Sequence, residues 1–481
     1  MPAPLNILLK AFDGPRIRPM LKAAFAGKAI GTCISIVNRN EPAPDIQAAR
    51  HVWMPANPLR AGQYPNVDWN TIAPLDAELI ERMVHCETMF LAMIERYALN
   101  ADIPYAERKR QYLAHLRYWN HLLRTEKIGL YLLNHGPHQG YDYVIYELCK
   151  LKNIPTYHLE RCCNVDGVFL VKDYEKSAEQ LIPALAKLKA EYGNPEKEVP
   201  LSPAYENFFT MQTTQMVPAW SAGNRDQHLT KKTFVTKWLG KSLEFLRHKP
   251  LRFFKAISSP NVWSRKVTQH RTARFYDEHA TEPDVSKPYV YLPLSKQPEE
   301  GVLPRGGAFA NQELMVQLLA TYLPPDVHIY IKEHPSQGEA FRSEVFYRTL
   351  LALRSVRFVP RGYDTFRLMQ HAKAIATITG TAGFEAIFRG KPVLMFGHRF
   401  CQYAPGTHMI RTAADCKDAI DRIFKKSDVP SLRNLRLFLK AIEDITVPME
   451  GGPLRSDQSP REERARVMGE MVSNILAPLF Q

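Results

Sequence analysis

The stretch from Ala372 to Phe400 constrains the fold more than any other part of the chain. It reads AKAIATITGTAGFEAIFRGKPVLMFGHRF, and its first part, Ala374 to Thr379, is apolar and rich in β-branched residues, as in a strand covered on both faces. Small residues then break this strand, and the pattern predicts a helix from near Gly383 to Gly390. Pro392 to Phe396 is predicted to be the next buried strand. Such a strand–helix–strand unit indicates an open parallel α/β sheet.

The turn between this strand and helix is suited to binding a phosphate. In open parallel sheets, ligands bind beyond the carboxyl ends of the strands, and small residues there let backbone N–H groups approach a phosphate at a helix N-terminus. Gly380 and Thr381 occupy that place. We predict Glu385 in the first turn of the helix, where it can cap backbone N–H groups or accept hydrogen bonds from ribose hydroxyls. The stretch is interpreted as half of a nucleotide-binding site.

The same alternation of strands and helices begins at Tyr289 and brings two more loops to this edge. The polar turn after the first strand contains Gln297 and Glu299, and the strand from Val327 ends in Lys332-Glu333-His334-Pro335. Lys332 or His334 can neutralise a phosphate at a strand end. A departing nucleotide phosphate needs such positive, hydrogen-bonding surroundings, because charge develops on its oxygen.

A second strand–helix–strand unit lies in the N-terminal half, between Gly129 and Leu159. Its polar turn, NHGPHQGYD, places His135, His138 and Asp142 at the carboxyl end of a strand, the ligand side of the predicted sheet. An imidazole or carboxylate there can take the proton from a hydroxyl group of a substrate that accepts a transferred group. These three residues are therefore the candidate catalytic residues. The alternative is that the turn residues only shape the loop and Asp142 only caps the helix.

The chain has 481 residues, which suggests two domains and an additional segment. We predict an N-terminal Rossmann-like domain (residues 1–175), a basic helical insert (176–285), a C-terminal Rossmann-like domain (286–425) and C-terminal helices (426–481). The net charge of +14 is concentrated in the insert, since Lys231 to Arg274 contains twelve Lys or Arg and a single acid, Glu244.

This basic segment, residues 231–274, can meet phosphate groups of a membrane, a nucleic acid or an anionic glycan. Its aromatic residues favour an amphipathic helix on an anionic membrane surface, and the alternative is an insert that packs on the protein with an exposed basic face. Nucleic acid is the less favoured partner, because no RNP-type aromatic strand accompanies the charge.

Several enzyme classes lack their signatures in this sequence. There is no G-x-x-x-x-G-K-S/T loop, no G-x-G-x-x-G after the first strand, no H-E-x-x-H and no G-x-S-x-G. We therefore expect no cofactor and no metal site. The seven scattered cysteines fit a reducing cytoplasm, and neither a signal peptide nor a membrane-spanning run is recognisable. The expected location is the cytoplasm, with peripheral attachment to the inner face of its membrane as an option.

Three motifs together resemble the bacterial capsule and surface polysaccharide biosynthesis family, which includes capsule Kdo transferases. They are PLSKQPEEGVLPRGGAFANQ, IYIKEHPSQ and TITGTAGFEAIFRGKPVLMFG, in this order. The resemblance implies a GT-B glycosyltransferase, with two Rossmann-like domains facing a cleft, the acceptor in the N-terminal domain and the nucleotide-sugar in the C-terminal one. It also implies that His334 lies at the nucleotide and Glu385 near the ribose or base.

The leading hypothesis is a glycosyltransferase that moves a sugar from a nucleotide donor, with a CMP-linked, Kdo-like sugar as one option, to a lipid-linked or glycan acceptor. One alternative is a polyol-phosphate transferase or nucleotide-sugar epimerase of the same fold. The other is a non-catalytic polysaccharide-assembly or nucleic-acid-binding protein. The candidate donor-binding residues are Gln297, Glu299, Lys332, His334, Gly380, Thr381 and Glu385.

Overall fold

The structure is a computed structural model of the 481-residue chain. It describes residues 3–13, 17–38, 46–101, 103–162, 167–214, 260–297, 299–334, 337, 342–447 and 461–481. The basic segment predicted at 231–274 lies largely outside these ranges, since its description begins at Pro260. Pro298 and Pro335 of the predicted site loops also lie outside them.

The N-terminal sheet is built from β1 (Leu5–Lys10), β2 (Ile30–Val37), β3 (Arg50–Pro55), β4 (Ile128–Leu133), β5 (Thr156–Arg161) and β6 (Val168–Val171). The strand order is β3-β2-β1-β4-β5-β6, and all neighbours are parallel except β5 and β6. The central strands β1 and β4 are buried over their last four residues, as expected where helices cover both faces of a sheet.

The C-terminal sheet is built from β7 (Tyr289–Pro293), β8 (His328–Lys332), β9 (Val356–Phe358), β10 (Ala374–Thr377), β11 (Val393–Met395) and β12 (Thr407–Met409). The strands are parallel throughout and run in the order β12-β11-β10-β7-β8-β9. Counted within each sheet, both follow the 3-2-1-4-5-6 order of the Rossmann fold. In that order, the carboxyl ends of the first and fourth strands flank a crevice.

The described helices are α1 (Arg18–Phe25), α2 (Ala56–Arg60), α3 (Ala77–Arg82), α4 (Val84–Ala101), α5 (Tyr105–Thr125), α6 (Tyr141–Leu151), α7 (Leu181–Glu191), α8 (Pro203–Thr213), α9 (Pro260–His279), α10 (Gln312–Tyr322), α11 (Glu344–Leu351), α12 (Thr365–His371), α13 (Thr381–Phe388), α14 (Ala413–Lys425), α15 (Leu432–Ile445) and α16 (Arg461–Leu476). Side-chain caps fix several starts. Asp364 accepts two backbone N–H bonds at α12, and Thr412 and Asp415 form a capping box at α14.

One predicted helix begins earlier than expected. Gly380 is extended and its N–H donates to Thr377 Oγ1, so α13 starts directly at Thr381 and not near Gly383. Glu385 is therefore the fifth helical residue, and the prediction that it lies in the first turn is wrong. The short strands β6 and β12 and helix α8 were not predicted from the sequence.

The last two helices join different parts of the molecule. α16 packs on α1, where Gly469 allows close approach, since a Cβ there would lie 2.4 Å from the Met20 carbonyl oxygen. Its buried residues belong to the core around β1, β2 and β4. α15 packs against α7 and α8, in the core beneath the C-terminal sheet. The segment 426–481, predicted as one unit, is thus divided between the two domains.

The two domains meet with the carboxyl ends of their sheets facing one another. Arg305 of the C-terminal domain contacts Glu160 at the end of β5, with 3.2 Å between Nη1 and Oε2. The rings of Phe169 and Phe400 pack across the same junction, with centroids 5.6 Å apart. This architecture confirms the predicted α/β fold of GT-B type.

Candidate active site

A cavity of about 750 Å³ lies between the two sheets at their carboxyl ends. Residues from both domains form its walls, so a ligand that fills it would touch both. The N-terminal wall includes Asn134, His135, His138, Glu160 and Arg161. The C-terminal wall includes Ser295, Lys296, Glu299, Glu300, Arg305, His334, Thr377, Thr379, Gly380, Thr381, Ala382 and Arg399.

A buried ion pair supports the polar turn of the N-terminal wall. Lys10, the last residue of β1, places its Nζ 2.7 Å from Asp142 Oδ2, and the side chains are 1% and 0% exposed. Asp142 also accepts hydrogen bonds from the N–H groups of His138 and Gln139. Burial alone would raise the pKa of Asp142, but Lys10, His138 and these bonds hold it at about 2. Asp142 is not among the described residues that line the cavity, so here it braces the turn.

The two histidines of this turn do line the cavity. Lys10 Nζ lies 3.3 Å from each ring nitrogen of His135. Burial, together with the charges of Lys10 and His138, lowers the pKa of His135 to about 4, so its ring is neutral near pH 7. The His138 ring lies beside it, with centroids 4.6 Å apart, and its Nδ1 is 3.7 Å from Glu300 Oε2. A neutral imidazole at the cavity can accept a proton, but a pKa of about 4 makes His135 a weaker base than a free imidazole.

A second charged cluster, which was not predicted from the sequence, joins the two domains at the cavity. Arg305 bridges Glu160 of the N-terminal domain and Glu300 of the C-terminal domain, at 3.2 and 3.3 Å. Burial would raise the pKa of Glu160, but Arg305 and nearby His158 and Arg399 hold it at about 2. Glu160 Oε2 accepts from Ser177, while Oε1 has no hydrogen-bond partner among the described residues.

The glycine turn forms the opposite wall, as the sequence predicts. A Cβ on Gly380 would lie 2.8 Å from Thr377 Oγ1, so the close packing at this turn requires glycine. Thr379 Oγ1 donates to the Gly301 carbonyl, and Arg399 Nη1 donates to the Thr379 carbonyl. These two hydrogen bonds hold Thr379 in place, just before the first turn of α13, which lines the cavity. Its N-terminal N–H groups and partial positive charge favour an anion there.

His334 lies on the same wall, beyond the end of β8. Its backbone N–H donates to Glu333 Oε1 at 2.7 Å, and its carbonyl accepts from the N–H of Gln337 at 2.9 Å. Burial is the main cause that lowers the pKa of His334, with Glu299 and Glu333 opposing it. Glu299 lines the cavity too, with its carboxylate 4.0 Å from Lys296 Nζ.

Three of the predicted donor-binding residues are not among the described residues that line the cavity. Lys332 Nζ donates to the Tyr363 carbonyl and to Thr365 Oγ1, and burial lowers the pKa of Lys332 to about 8. Gln297 donates to the Ala310 carbonyl and accepts from Arg342. Both side chains brace loops behind the wall.

Glu385 is the third predicted donor-binding residue that is not among the described residues lining the cavity. It is 7% exposed and sits on the second turn of α13, away from the helix start that meets the cavity. Its backbone carbonyl accepts from Arg389, which also contacts Gln212 of α8.

The sequence contained a usable signal for one missed residue. Glu160 is the next-to-last residue of β5, at the same edge of the sheet as the predicted histidine turn, and the rule that selected that turn would also have selected it. Arg305 and Arg399 lie in the loops after β7 and β11, but no local pattern separates them from the other residues of these loops, and only the folded chain shows that they reach the cavity.

Two further properties concern the described residues alone. Within the described ranges, no three His, Cys, Asp or Glu side chains are grouped as metal ligands would be. In the same part of the chain, no helix is both long and apolar enough to cross a bilayer.

Comparison with protein families places the site in context. Residues 241–414 match the family described as capsule polysaccharide biosynthesis protein. This match covers β7 to β12 and all C-terminal loops of the cavity, and it confirms the resemblance predicted from the three motifs. No curated protein matches the chain by sequence.

Solved structures resemble the chain at low identity. KpsC of Thermosulfurimonas dismutans, a beta Kdo 2,7 transferase, is 12% identical with a TM-score of 0.32, covering 74% of this chain and 88% of its own. HepE (Alr3699) of Anabaena, in complex with UDP, is 10% identical with a TM-score of 0.30, covering 98% and 100%. UDP-GlcNAc 2-epimerase of Methanocaldococcus jannaschii is 11% identical with a TM-score of 0.27, covering 92% and 98%.

Proposed function

We propose that this protein is a glycosyltransferase of capsular or other surface polysaccharide biosynthesis. The observation that carries the proposal is the cavity itself, which joins an anion-favouring wall in the family-matched domain to a histidine-bearing wall in the other domain. A transferase needs both halves, because donor and acceptor must meet at one point.

The donor side is the C-terminal wall. The first turn of α13 at Gly380 and Thr381, with His334 and Arg399 beside it, can surround the phosphate of a nucleotide-sugar. Hydrogen bonds and positive charge there stabilise the oxygen that leaves with the nucleotide. Glu299 lies at the rim of this wall, where it can meet a sugar or ribose hydroxyl. A CMP-linked, Kdo-like sugar is one candidate donor, and UDP-linked sugars are the other.

The acceptor side is the N-terminal wall. The His135 ring is neutral near pH 7 and can take the proton of an attacking hydroxyl, and His138 lies next to it. Asp142 contributes indirectly, because its pair with Lys10 holds the turn in place. The acceptor in this proposal is a lipid-linked or glycan hydroxyl.

A membrane contact would bring the enzyme to a lipid-linked acceptor. The described end of the basic segment, α9, exposes Trp263 and Val267 to about half of their surface, at 52% and 49%. Exposed apolar side chains close to basic ones can contact an anionic bilayer. We therefore propose peripheral attachment through residues 231–274, and no nucleic-acid partner.

The test is turnover of a panel of CMP- and UDP-linked sugars by the purified protein, with and without glycan acceptors. We expect release of one free nucleotide, at least 100-fold slower in His334→Ala and unchanged in the control His371→Ala, which alters an exposed histidine on α12. Turnover of no nucleotide-sugar would contradict the proposal. An epimerised sugar formed without acceptor would also contradict it, in favour of an epimerase.

A further inference from the structure

A buried arginine connects the two loops that carry the donor wall. Arg342 lies just before α11, and its side chain is 2% exposed. Its Nε donates to Glu333 Oε2 at 3.0 Å, its Nη1 to Gln297 Oε1 at 2.7 Å, and its Nη2 to the Ser295 carbonyl at 2.8 Å. One guanidinium therefore binds the loop after β7 and the loop after β8 together.

The partner of Arg342 holds His334 directly. Glu333 is 1% exposed, and its Oε1 accepts from the backbone N–H of His334. Its Oε2 accepts from Arg342 and from the hydroxyl of Tyr347 on α11. Both carboxylate oxygens are thus used, one toward the loop of the cavity wall and one toward the scaffold behind it.

The side chain of Gln337 also connects the loop after β7 with the loop after β8. Gln337 accepts from the Gln297 N–H at 2.9 Å and donates to the Gln297 carbonyl at 3.0 Å, while its own N–H donates to the His334 carbonyl at 2.9 Å. The two loops are therefore hydrogen-bonded at both backbone and side-chain level. Ser295, Lys296, Glu299 and His334 face the cavity from these loops, whereas Arg342 and Glu333 are not among its described lining residues.

We infer that Arg342 is a positioning residue that, paired with Glu333, sets the separation of the His334 loop from the Ser295–Gln297 loop. The inference rests on the proposed function, since it assigns the pair to the donor side of that site. The planar guanidinium is suited to this role because it presents donors in a fixed fork, toward a carboxylate and two oxygens of the other loop. A lysine keeps the charge, but its single nitrogen cannot replace the three separate nitrogens that bond to the carboxylate and to the two loop oxygens.

The experiment compares Arg342→Lys with Arg348→Lys, a control on α11 whose side chain is 63% exposed in a surface pair with Glu344. We expect Arg342→Lys to be folded, as shown by a cooperative unfolding transition. It should bind CMP or UDP, whichever the wild type binds, 10- to 100-fold more weakly by calorimetry, because small displacements of site groups have effects of this size. The control should bind within twofold of the wild type.

A second measurement does not depend on the nucleotide. In protein labelled with ¹³C-histidine, the ring resonance of His334, assigned from its absence in His334→Ala, should move in Arg342→Lys and stay in place in Arg348→Lys. Gln297→Met, which removes only one of the three acceptors, should cause a smaller shift and keeps the test available if Arg342→Lys does not fold. An unmoved His334 resonance in a folded Arg342→Lys or Gln297→Met overturns the inference. Failure of the wild type to bind any nucleotide would overturn the proposed function and leave this resonance test intact.

Discussion

The two walls of the cleft are supported in similar ways but present their histidines differently. Each wall carries a histidine loop after a central parallel strand, and each loop rests on an ion pair that is nearly inaccessible to water. The pairs are Lys10–Asp142, at 2.7 Å, and Arg342–Glu333, at 3.0 Å. Buried pairs of this kind add little net stability over apolar residues, but they resist rearrangement, because removal of one partner leaves an uncompensated charge.

The difference lies in what the cation touches. Lys10 reaches both the Asp142 carboxylate and the ring of His135, and burial together with the Lys10 charge lowers the pKa of that imidazole and keeps it neutral. Arg342 reaches Glu333 and the neighbouring loop, and the carboxylate in turn holds the backbone of His334. Under the proposed function, proton transfer belongs to the N-terminal wall, and the fixed backbone of His334 belongs to the wall that binds the phosphate.

The largest expected effect comes from breaking the N-terminal pair. Lys10→Met leaves Asp142 as an unpaired buried carboxylate, and we expect it to lower the free energy of unfolding by about 3–5 kcal/mol. Urea denaturation followed by circular dichroism measures this loss. The double variant Lys10→Met/Asp142→Leu, which removes both charges, should be more stable than Lys10→Met alone. If the single variant were as stable as the wild type, the pair would not support the turn.

The next effect is a loss of stability in acid. The pKa of Glu160 in the folded protein is depressed to about 2, below its unfolded value, so its contribution is fully present above pH 5 and is lost as the pH falls toward 2. We expect the stability difference between wild type and Glu160→Gln to shrink by about 2–3 kcal/mol over that window. Urea midpoints at several pH values give this difference. A difference independent of pH would show that Arg305 does not hold Glu160 ionised.

A smaller effect on stability in acid is expected from His135, the histidine of the N-terminal wall. Because the pKa of folded His135 is lowered to about 4, the unfolded chain takes up its proton first as the pH falls through about 6.5, and this group then lowers stability by about 1.4 kcal/mol at pH 5.5. NMR of ¹³C-histidine-labelled protein should show the His135 ring still neutral at pH 5.5. Protonation of that ring near pH 6.5 would remove the distinction drawn between the two walls.

The smallest change in the free energy of unfolding is expected from breaking an ion pair on the surface. Arg82 and Glu78 are exposed at 54% and 80% and lie 3.5 Å apart on α3. Arg82→Met should change the free energy of unfolding by less than about 0.5 kcal/mol, since water screens exposed pairs. The same urea experiment measures it. A loss comparable to that of Lys10→Met would show that burial is not what makes the two wall pairs important.

The sequence predicted the parts of this molecule that have local signals. Buried β-branched runs identified the central strands, and the strand–helix–strand unit predicted between Gly129 and Leu159 corresponds to β4, α6 and β5. The glycine turn at Gly380 and the histidines at 135, 138 and 334 were found because strand ends in a parallel sheet share one edge, and all four reach the cavity.

The parts that depend on contacts between distant segments were not predicted. Lys10 and Asp142 lie in different strand–helix units, and no local pattern marks them as a pair. Lys332 resembled a phosphate ligand because it ends a strand, yet its side chain turns to the loop before α12. The close packing of α16 on α1 leaves no room for a side chain at Gly469, and nothing in the local sequence of the helix indicates this contact. Tertiary packing decides each of these cases.

The central claim is that a phosphate-bearing donor binds the C-terminal wall while His135 faces it from the other domain. A crystal structure of the protein with CMP or UDP tests this most directly. We predict the phosphate within hydrogen-bonding distance, about 3 Å, of the N–H groups at Thr381 and Ala382, with His334 beside it. A nucleotide bound elsewhere, with the turn at Gly380 empty, would contradict the account.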